Sequence, residues 1–220
     1  MSLFATLNPE QNGLVQVARH SPSPFAVGAC FEAALSALKR DFWNIVFRNF
    51  VFMLSFAPVI ALSLIPVVGQ LAMLLLLPPL MVGYSRHNLK VIRGEQASFS
   101  DMFGGFDSFG QGALMYLSMI VIGMLGLVCL ILPGIYLLFA WSFSWKLLGE
   151  KRGSFWECME ISRQAITPHW GWALLLFIVS ALVAYVGLIA CFIGVFATLP
   201  MAGLMHSAAY ERLFSPKAVA

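Results

Sequence analysis

The side chains that could do chemistry are few in this 220-residue chain, and their spacing is not that of a catalytic site. His87, His169 and His206 have no nucleophile or carboxylate at a spacing typical of acid–base or nucleophilic catalysis. The cysteines form no CxxC pair and no cysteine–histidine ligand pattern, so we expect reduced thiols rather than a disulfide or a zinc site. They are Cys30, Cys129, Cys158 and Cys191. We therefore predict no catalytic, cofactor-binding or metal-binding residue, no cofactor and no enzymatic activity.

The composition indicates what kind of protein carries these residues. Hydrophobic residues make up 60% of the chain and charged residues only 10%. The mean hydropathy is +0.85. A soluble domain carries roughly 25% charged residues, so this chain cannot cover a water-facing surface. The composition excludes a soluble globular domain and a disordered chain, and it indicates an integral membrane protein. No glycine-rich phosphate loop or nucleic-acid-binding patch is present, and we expect no nucleic-acid partner.

Long blocks without charge predict the number of membrane crossings. Residues 49–85, 108–145 and 164–210 contain no Asp, Glu, Lys or Arg. A single span needs roughly 20 residues, so each block is long enough for two. We predict an all-α polytopic bundle of six spans arranged as three hairpins, at about residues 44–90, 111–149 and 169–211. The individual spans are 44–65, 69–90, 111–131, 133–149, 169–188 and 190–211.

Helix-breaking residues near the middle of each block predict the turns of these hairpins. The first turn falls at residues 65–69 (IPVVG), and the third lies between Gly187 and Gly194. For the second hairpin two positions remain open. A turn at Pro133 leaves a short return helix, whereas a turn nearer Gly126 makes Pro133 a kink inside that helix.

The positions of the basic residues predict the orientation. All 13 Lys and Arg lie in the N-terminal segment, in the two connections between hairpins or in the C-terminal tail, if Arg48 and Lys146 snorkel outward from span ends. The positive-inside rule places these regions in the cytoplasm. Residues 1–25 are then a flexible, uncleaved cytoplasmic tail, residues 26–213 a single membrane domain, and residues 214–220 a second cytoplasmic tail.

Amphipathic segments precede the hairpins. One apolar stripe at helical spacing is formed by Phe31, Ala34, Leu35, Leu38 and Phe42. Further stripes run through Phe99, Phe103, Phe106 and Phe109 and through Phe155, Cys158, Met159, Ser162, Ala165 and Ile166. Two of the segments open with a capping-box pattern, at residues 98–101 (SFSD) and 154–157 (SFWE). We expect helices lying in the cytoplasmic interface with the apolar face towards the lipid.

Similar sequence elements in the three units suggest a threefold repeat, although chance similarity in apolar sequence explains them equally well.

The absence of acidic residues from the span interiors favours a non-enzymatic role, because membrane enzymes and ion-coupled transporters usually keep such a group within the membrane. We expect the protein to organise anionic lipid headgroups, a protein partner or a homo-oligomer through its cytoplasmic helices. The alternative is a transporter of small solutes or lipids, which needs a polar cavity where Gln70, Tyr185, His206 and scattered serines converge. For His206 we favour helix–helix packing over a ligand or proton-relay role.

Several motifs resemble a broad group of bacterial six-span membrane proteins. They are Gly94 followed by residues 98–103 (SFSDMF), 130–136 (LILPGIY), 141–143 (WSF), and 157–162 (ECMEIS) ahead of His169 and Trp170. The group includes the membrane domain attached to some glycerophosphoryl diester phosphodiesterases, and the likeness covers about residues 30–213. The resemblance implies an all-helical, multi-pass protein of the bacterial inner membrane with no established catalytic residue. No segment here is long enough to hold the phosphodiesterase domain itself.

The predicted orientation can be tested by cysteine labelling. In a background lacking the native cysteines, Val68→Cys should react with an impermeant thiol reagent applied from outside, whereas Gly94→Cys should be protected, because residue 68 follows an external turn and residue 94 lies in a cytoplasmic connection. Labelling in intact cells, with lysed cells as the control for reactivity, measures this. The reverse pattern would overturn the orientation.

Overall fold

The computed structural model describes residues 7–20, 26–62, 65–129, 131–189 and 194–214. Within these ranges every regular element is helical, which confirms the all-α prediction. Four helical segments are long and apolar enough to cross a membrane, namely Phe42–Leu62, Val68–Arg93, Phe99–Val128 and Phe155–Gly187. These segments are compatible with a membrane protein. The predicted crossings at 133–149 and 190–211 are not among the four.

The helices follow one another with short connections. In chain order they are α1 (Pro9–Arg19), α2 (Val27–Arg40), α3 (Phe42–Leu54), α4 (Ala57–Leu62), α5 (Pro66–Arg93), α6 (Phe99–Phe103), α7 (Phe109–Cys129), α8 (Ile131–Ala140), α9 (Ser144–Gly149), α10 (Phe155–Ile166), α11 (Trp170–Ile189) and α12 (Val195–Phe214). Two 3-10 turns, Gly104–Ser108 and Thr167–His169, lead into α7 and α11. Because α5 already begins at Pro66, most of the turn predicted at residues 65–69 is helical.

Close glycine contacts bring the two later helix pairs together. A Cβ atom on Gly126 of α7 would lie 3.2 Å from the Gly134 Cα of α8, so the chain reverses between these residues. Helix α8 begins at Ile131, which leaves Pro133 in its first turn, where proline is tolerated. In the last pair, a Cβ on Gly187 of α11 would collide with Thr198 of α12. The rest of the predicted third turn, residues 190–193, lies outside the described residues.

Helix α12 is the centre of the bundle. It packs against α2, α5 and α11, and its side chains are buried by these helices along most of its length. Its approach to α5 depends on Gly203, because a Cβ there would lie 2.7 Å from the Tyr84 hydroxyl and 2.9 Å from Asn88 Nδ2. Helix α12 is therefore covered mainly by protein, and five other helices pack on it.

The N-terminal region differs from the predicted flexible tail of residues 1–25. Residues 9–19 form helix α1, which buries Gln11, Val15 and Ala18. Gln11 Nε2 donates to the Arg152 carbonyl at 3.1 Å and to Glu157 at 3.2 Å, and this holds α1 on α10. The prediction was wrong because Val15 and Ala18, three residues apart, form an apolar face that needs a partner. Residues 215–220, most of the predicted C-terminal tail, lie outside the described residues.

The apolar faces of the amphipathic segments are largely covered by protein. Helix α2 buries Cys30, Ala34 and Leu38 against α12, and α10 is buried among α1, α7, α8 and α9. The segment α6 with its 3-10 turn buries Met102 and Gly105 rather than the phenylalanine stripe, since Phe99 and Phe106 stay exposed. The apolar faces of α2 and α10 are therefore used in folding, whereas part of the phenylalanine stripe stays uncovered.

The helix ends on either side of the two charged connections have the same capping motifs. Both predicted capping boxes form, since the Ser98 N–H donates to Asp101 at 2.7 Å and the Ser154 N–H donates to Glu157 at 2.8 Å. Upstream of each box, α5 and α9 end in a left-handed residue with paired 6→1 and 5→2 hydrogen bonds, a Schellman motif. That residue is Gly94 (φ 76°) after α5 but Lys151 (φ 57°) after α9.

The left-handed conformation of Lys151 predicts a stabilising substitution. Glycine adopts this region without the steric cost of roughly 1 kcal/mol that a Cβ atom brings. We expect Lys151→Gly to raise the free energy of unfolding relative to Lys151→Ala, which loses the same side chain but keeps the strain. Gly94→Ala should lower it by a similar amount. Thermal unfolding in detergent measures both, and equal stability of the two Lys151 variants would contradict the assignment.

Candidate functional site

The charged residues of the bundle converge on one face of α5. Arg86, Lys90 and Arg93 are four and three residues apart and so project from the same side of the helix. Their acidic partners come from other elements: Asp101 from α6, Asp107 from the following 3-10 turn, Glu150 from the end of α9 and Glu211 from α12. Residues that are far apart in sequence are thereby joined at the same end of the helices.

Arg93 is the centre of this network. Its Nε donates to Glu211 at 2.8 Å, its Nη2 lies 2.6 Å from the same carboxylate, and Nη2 also contacts Glu150. Only 2% of the Glu211 side chain is exposed. Since a buried carboxylate is costly unless it is paired, Arg93 compensates a charge that water cannot reach. One guanidinium thus ties the last turn of α5 to the ends of α9 and α12.

Glu150 completes the cluster through its second oxygen. That oxygen accepts from the Tyr210 hydroxyl at 2.7 Å and from Arg152 Nε at 3.0 Å. Burial by itself raises the pKa of Glu150, but the hydrogen bonds from Tyr210 and Arg93 and the nearby positive charges outweigh it and hold the pKa below its usual range. Glu150 is therefore ionised at neutral pH. The cluster of Arg93, Arg152, Glu150 and Glu211, together with Tyr210, is called the Arg93 cluster below.

Arg86 and Lys90 continue the network along α5. Arg86 Nε donates to the Gly149 carbonyl at 2.6 Å, its Nη1 donates to the Gly104 carbonyl at 2.8 Å, and Nη1 pairs with Asp107 at 2.9 Å. The Gly149 carbonyl is at the C-terminus of α9, where carbonyls lack a partner within the helix. Lys90 pairs with Asp101 at 2.7 Å. These contacts fix α6 and α9 against α5.

An open pocket of about 570 Å³ lies over this network. Its charged lining residues are Arg86, Lys90, Arg93, Glu95, Asp101, Glu150 and Arg152. We call it the basin. A second pocket of about 490 Å³ beside it is bordered by Arg40, Arg48 and Asp41 and shares Glu95 with the basin. Four cations around one opening can bind the oxygens of a phosphate or carboxylate group, although each of them already has an acidic neighbour.

The structure places the residues that the sequence singled out in separate locations. Arg48 pairs with Asp41 at 2.9 Å and so points towards the charged end, as a snorkelling side chain does. His87 is buried within α5, and His169 is half-buried in the turn before α11. Gln70 and Tyr185 are exposed on the outside of the bundle, whereas the His206 ring packs against Phe177 at 4.6 Å between ring centroids. Two of the residues proposed to line a transport cavity are thus exposed, and the third packs against a ring.

Lys146 contradicts the prediction that it snorkels. Only 8% of this residue is exposed, and its Nζ lies 5.9 Å from the centroid of the ring of Phe143, the residue before α9. The side chain is covered because α9 packs against α5, α7 and α10.

Sequence reasoning missed the Arg93 cluster. Its members are separated by up to 118 positions, from Arg93 to Glu211, and none belongs to a recognisable motif. The available signal was the isolation of Glu211 and Arg212 at the end of the longest charge-free block, since a charge there needs a partner from another connection.

The described residues contain no group of three or more His, Cys, Asp or Glu side chains arranged to hold a metal ion. Comparison with protein-family models, with curated proteins and with solved structures finds no match to this chain. The functional argument therefore depends on the geometry of the charged end alone.

The Arg93 cluster predicts that replacing Arg93 lowers the free energy of unfolding much more than replacing the neighbouring cation Lys90. Arg93→Met leaves the Glu211 carboxylate buried and unpaired, and we expect a loss of about 3 kcal/mol in the free energy of unfolding. Lys90→Met breaks the more exposed pair with Asp101 and should cost only about 0.5 kcal/mol. Denaturation in mixed micelles measures both losses.

The double variant Arg93→Met/Glu211→Leu is the control for this interpretation. It removes both charges and should recover most of the stability that Arg93→Met loses. Equal costs for Arg93→Met and Lys90→Met would contradict the central role of Arg93.

Proposed function

We propose that this protein is a non-enzymatic, six-span integral protein of the bacterial inner membrane that organises acidic lipids at its cytoplasmic face. The observation that carries the proposal is the convergence of cations from α2, α3, α5 and the connection after α9 at one end of the helices, around the open basin. A face of this kind attracts phosphate groups at a membrane surface by charge.

Helix dimensions support the two predicted crossings that are not among the four long apolar segments. Residues 131–149, which contain α8 and α9, would extend about 28 Å if helical throughout, and α12 about 30 Å, at roughly 1.5 Å per residue. The hydrocarbon core of a bilayer is about 30 Å thick. Helix α12 carries Glu211 and Arg212 at its end and is enclosed by other helices, so it can cross the membrane without being strongly apolar.

The charge distribution supports a cytoplasmic location for the basin. The end of α5, the connection after α9 and the end of α12 all contribute to the Arg93 cluster, so they belong to the same side. An excess of Lys and Arg in short connections marks the cytoplasmic side. Both termini are on that side in a six-span arrangement.

Exposed lysines next to the two pockets are suited to contact lipid phosphates. Lys39 and Arg40 lie on the exposed side of α2, and 66% of the Lys151 side chain is exposed. A basic residue near an acidic membrane surface contributes about 1 kcal/mol. Since the apolar faces of α2 and α10 are largely covered by protein, recognition depends on charge rather than on helix insertion.

Charge reversal at the exposed lysines tests this proposal. We expect Lys39→Glu/Lys151→Glu to lower the ratio of phosphatidylglycerol to phosphatidylethanolamine that co-purifies with the protein by several-fold, because about 1 kcal/mol per residue is lost. Native mass spectrometry of the purified protein measures the ratio. Lys39→Gln/Lys151→Gln should give an intermediate value.

Two other outcomes would count against lipid organisation. An unchanged lipid ratio together with loss of a co-purifying protein or of self-association would favour a protein partner or a homo-oligomer. Solute or lipid flux in proteoliposomes that disappears in Gln70→Ala or His206→Phe would instead favour a transporter.

A further inference from the structure

The basin offers hydrogen-bond donors that the ion pairs around it do not use. Arginine carries N–H donors on three nitrogen atoms and lysine has three N–H donors on one. Arg152 uses its Nε towards Glu150, and among the residues that the structure describes its Nη1 and Nη2 groups have no partner. Lys90 donates to Asp101 at 2.7 Å and keeps its other N–H groups. An oxyanion in the basin can therefore accept from two cations without breaking an existing pair.

The charges in and around the basin are balanced. The cations are Arg86, Lys90, Arg93, Lys151 and Arg152, and the carboxylates are Glu95, Asp101, Asp107, Glu150 and Glu211. Of these carboxylates, only the exposed Glu95 side chain has no ion pair or hydrogen bond in the described part of the chain. A ligand is therefore held by short hydrogen bonds rather than by a net positive charge, and a ligand with a second negative charge is repelled by Glu95.

Exposed phenylalanine rings lie on the segment that forms one wall of the basin. Asp101 of α6 lines the basin, and the Gly104 carbonyl of the next turn accepts from Arg86 in the same lining. On this segment Phe99 and Phe106 are exposed. Burying an aromatic ring against an acyl chain is favourable. A charged opening with apolar rings on one wall fits a lipid, which has a charged headgroup and apolar chains, better than it fits a free phosphate ion.

We propose that the basin binds one acidic phospholipid by its phosphodiester group. Arg152 and Lys90 donate to the phosphate oxygens. Phe99 and Phe106 contact the acyl chains. Hydrogen bonds between a cation and a phosphate are roughly twice as strong as those between neutral groups. This proposal rests on the lipid function proposed above, and it names the site and the headgroup chemistry of that function.

The unpaired Glu95 makes the site selective for a phosphodiester. A phosphodiester carries a single negative charge, whereas a phosphate monoester carries about −1.5 to −2 at pH 7. The additional charge is repelled by Glu95 and finds no uncompensated cation in the basin. The basin should therefore prefer phosphatidylglycerol, a diester, over phosphatidic acid and inorganic phosphate.

Salt separates this site from the exposed lysines. The attraction of acidic lipids by Lys39 and Lys151 acts through water, and it is largely lost at about 1 M salt, where the Debye length is about 3 Å. Arg152 and Lys90 are partly buried, so a phosphate hydrogen-bonded to them is screened much less. One lipid should therefore remain bound at a salt concentration that removes the others.

The test is native mass spectrometry of the delipidated full chain in detergent and concentrated ammonium acetate, with dioleoyl lipids added. We expect one phosphatidylglycerol to remain bound to the wild-type protein and phosphatidic acid to bind several-fold more weakly. Arg152→Gln should weaken phosphatidylglycerol binding at least tenfold. Arg163→Gln, which removes an arginine of similar exposure on α10 that is not in the lining, should bind as the wild type does.

Substitutions at exposed positions test the two other parts of the site without disturbing the fold. Glu95→Gln should bring the affinity for phosphatidic acid close to that for phosphatidylglycerol, because the repulsion of the second charge is removed. Phe99→Ser/Phe106→Ser should weaken binding of dioleoyl phosphatidylglycerol several-fold and leave binding of the dihexanoyl lipid unchanged, because only contacts with long chains are lost.

Three results would overturn the proposal. They are a wild-type protein that keeps no phosphatidylglycerol at high ionic strength, displacement of the lipid by inorganic phosphate, and equal losses in Arg152→Gln and Arg163→Gln. The lipids attracted by Lys39 and Lys151 are removed under these conditions, so failure of the basin and failure of the proposed function are measured separately.

Discussion

The structure depends on the compensation of a few buried charges where water is excluded. Glu211 lies at the end of the central helix, almost fully enclosed, and Arg93 is the group that makes its burial tolerable. Because the same guanidinium also holds Glu150, and Glu150 accepts from Tyr210, three distant parts of the chain must meet at one point. The placement of α5, α9 and α12 relative to one another follows from that requirement together with the packing of their apolar side chains.

Small residues make this arrangement possible inside the bundle. Gly203 admits Tyr84 and Asn88 against α12, and Gly187 admits Thr198 at the α11–α12 contact. Helices in a membrane gain little from the hydrophobic effect, so close packing and satisfied polar groups must hold them together. The charged network and the glycine contacts are therefore complementary. The network fixes the charged end of the bundle, and the glycines let the helices approach closely enough for its residues to meet.

The helix caps could be predicted from the sequence because their interactions involve only residues close together in the chain. Both capping boxes form where the Ser-to-acid spacing predicts them, at Ser98 and Ser154, since only neighbouring residues take part. Burial was harder to predict. The apolar stripes of α2 and α10 predict a place in the lipid interface but largely pack on other helices, and α1 forms where the sequence predicts a flexible tail. Periodicity shows that a helix has an apolar face that must be covered, but it cannot distinguish whether lipid or protein covers that face.

The sequence by itself determined that the chain is helical and too apolar to be soluble, and it indicated the helix boundaries that caps and charges mark. These properties follow from composition and from interactions within a few residues. Only the tertiary structure decided which charges are paired, because Arg93, Glu150 and Glu211 become neighbours through folding alone. It also decided that Lys146 is largely covered while Arg48 pairs with Asp41 at the charged end, since the helices packed around each side chain determine its surroundings.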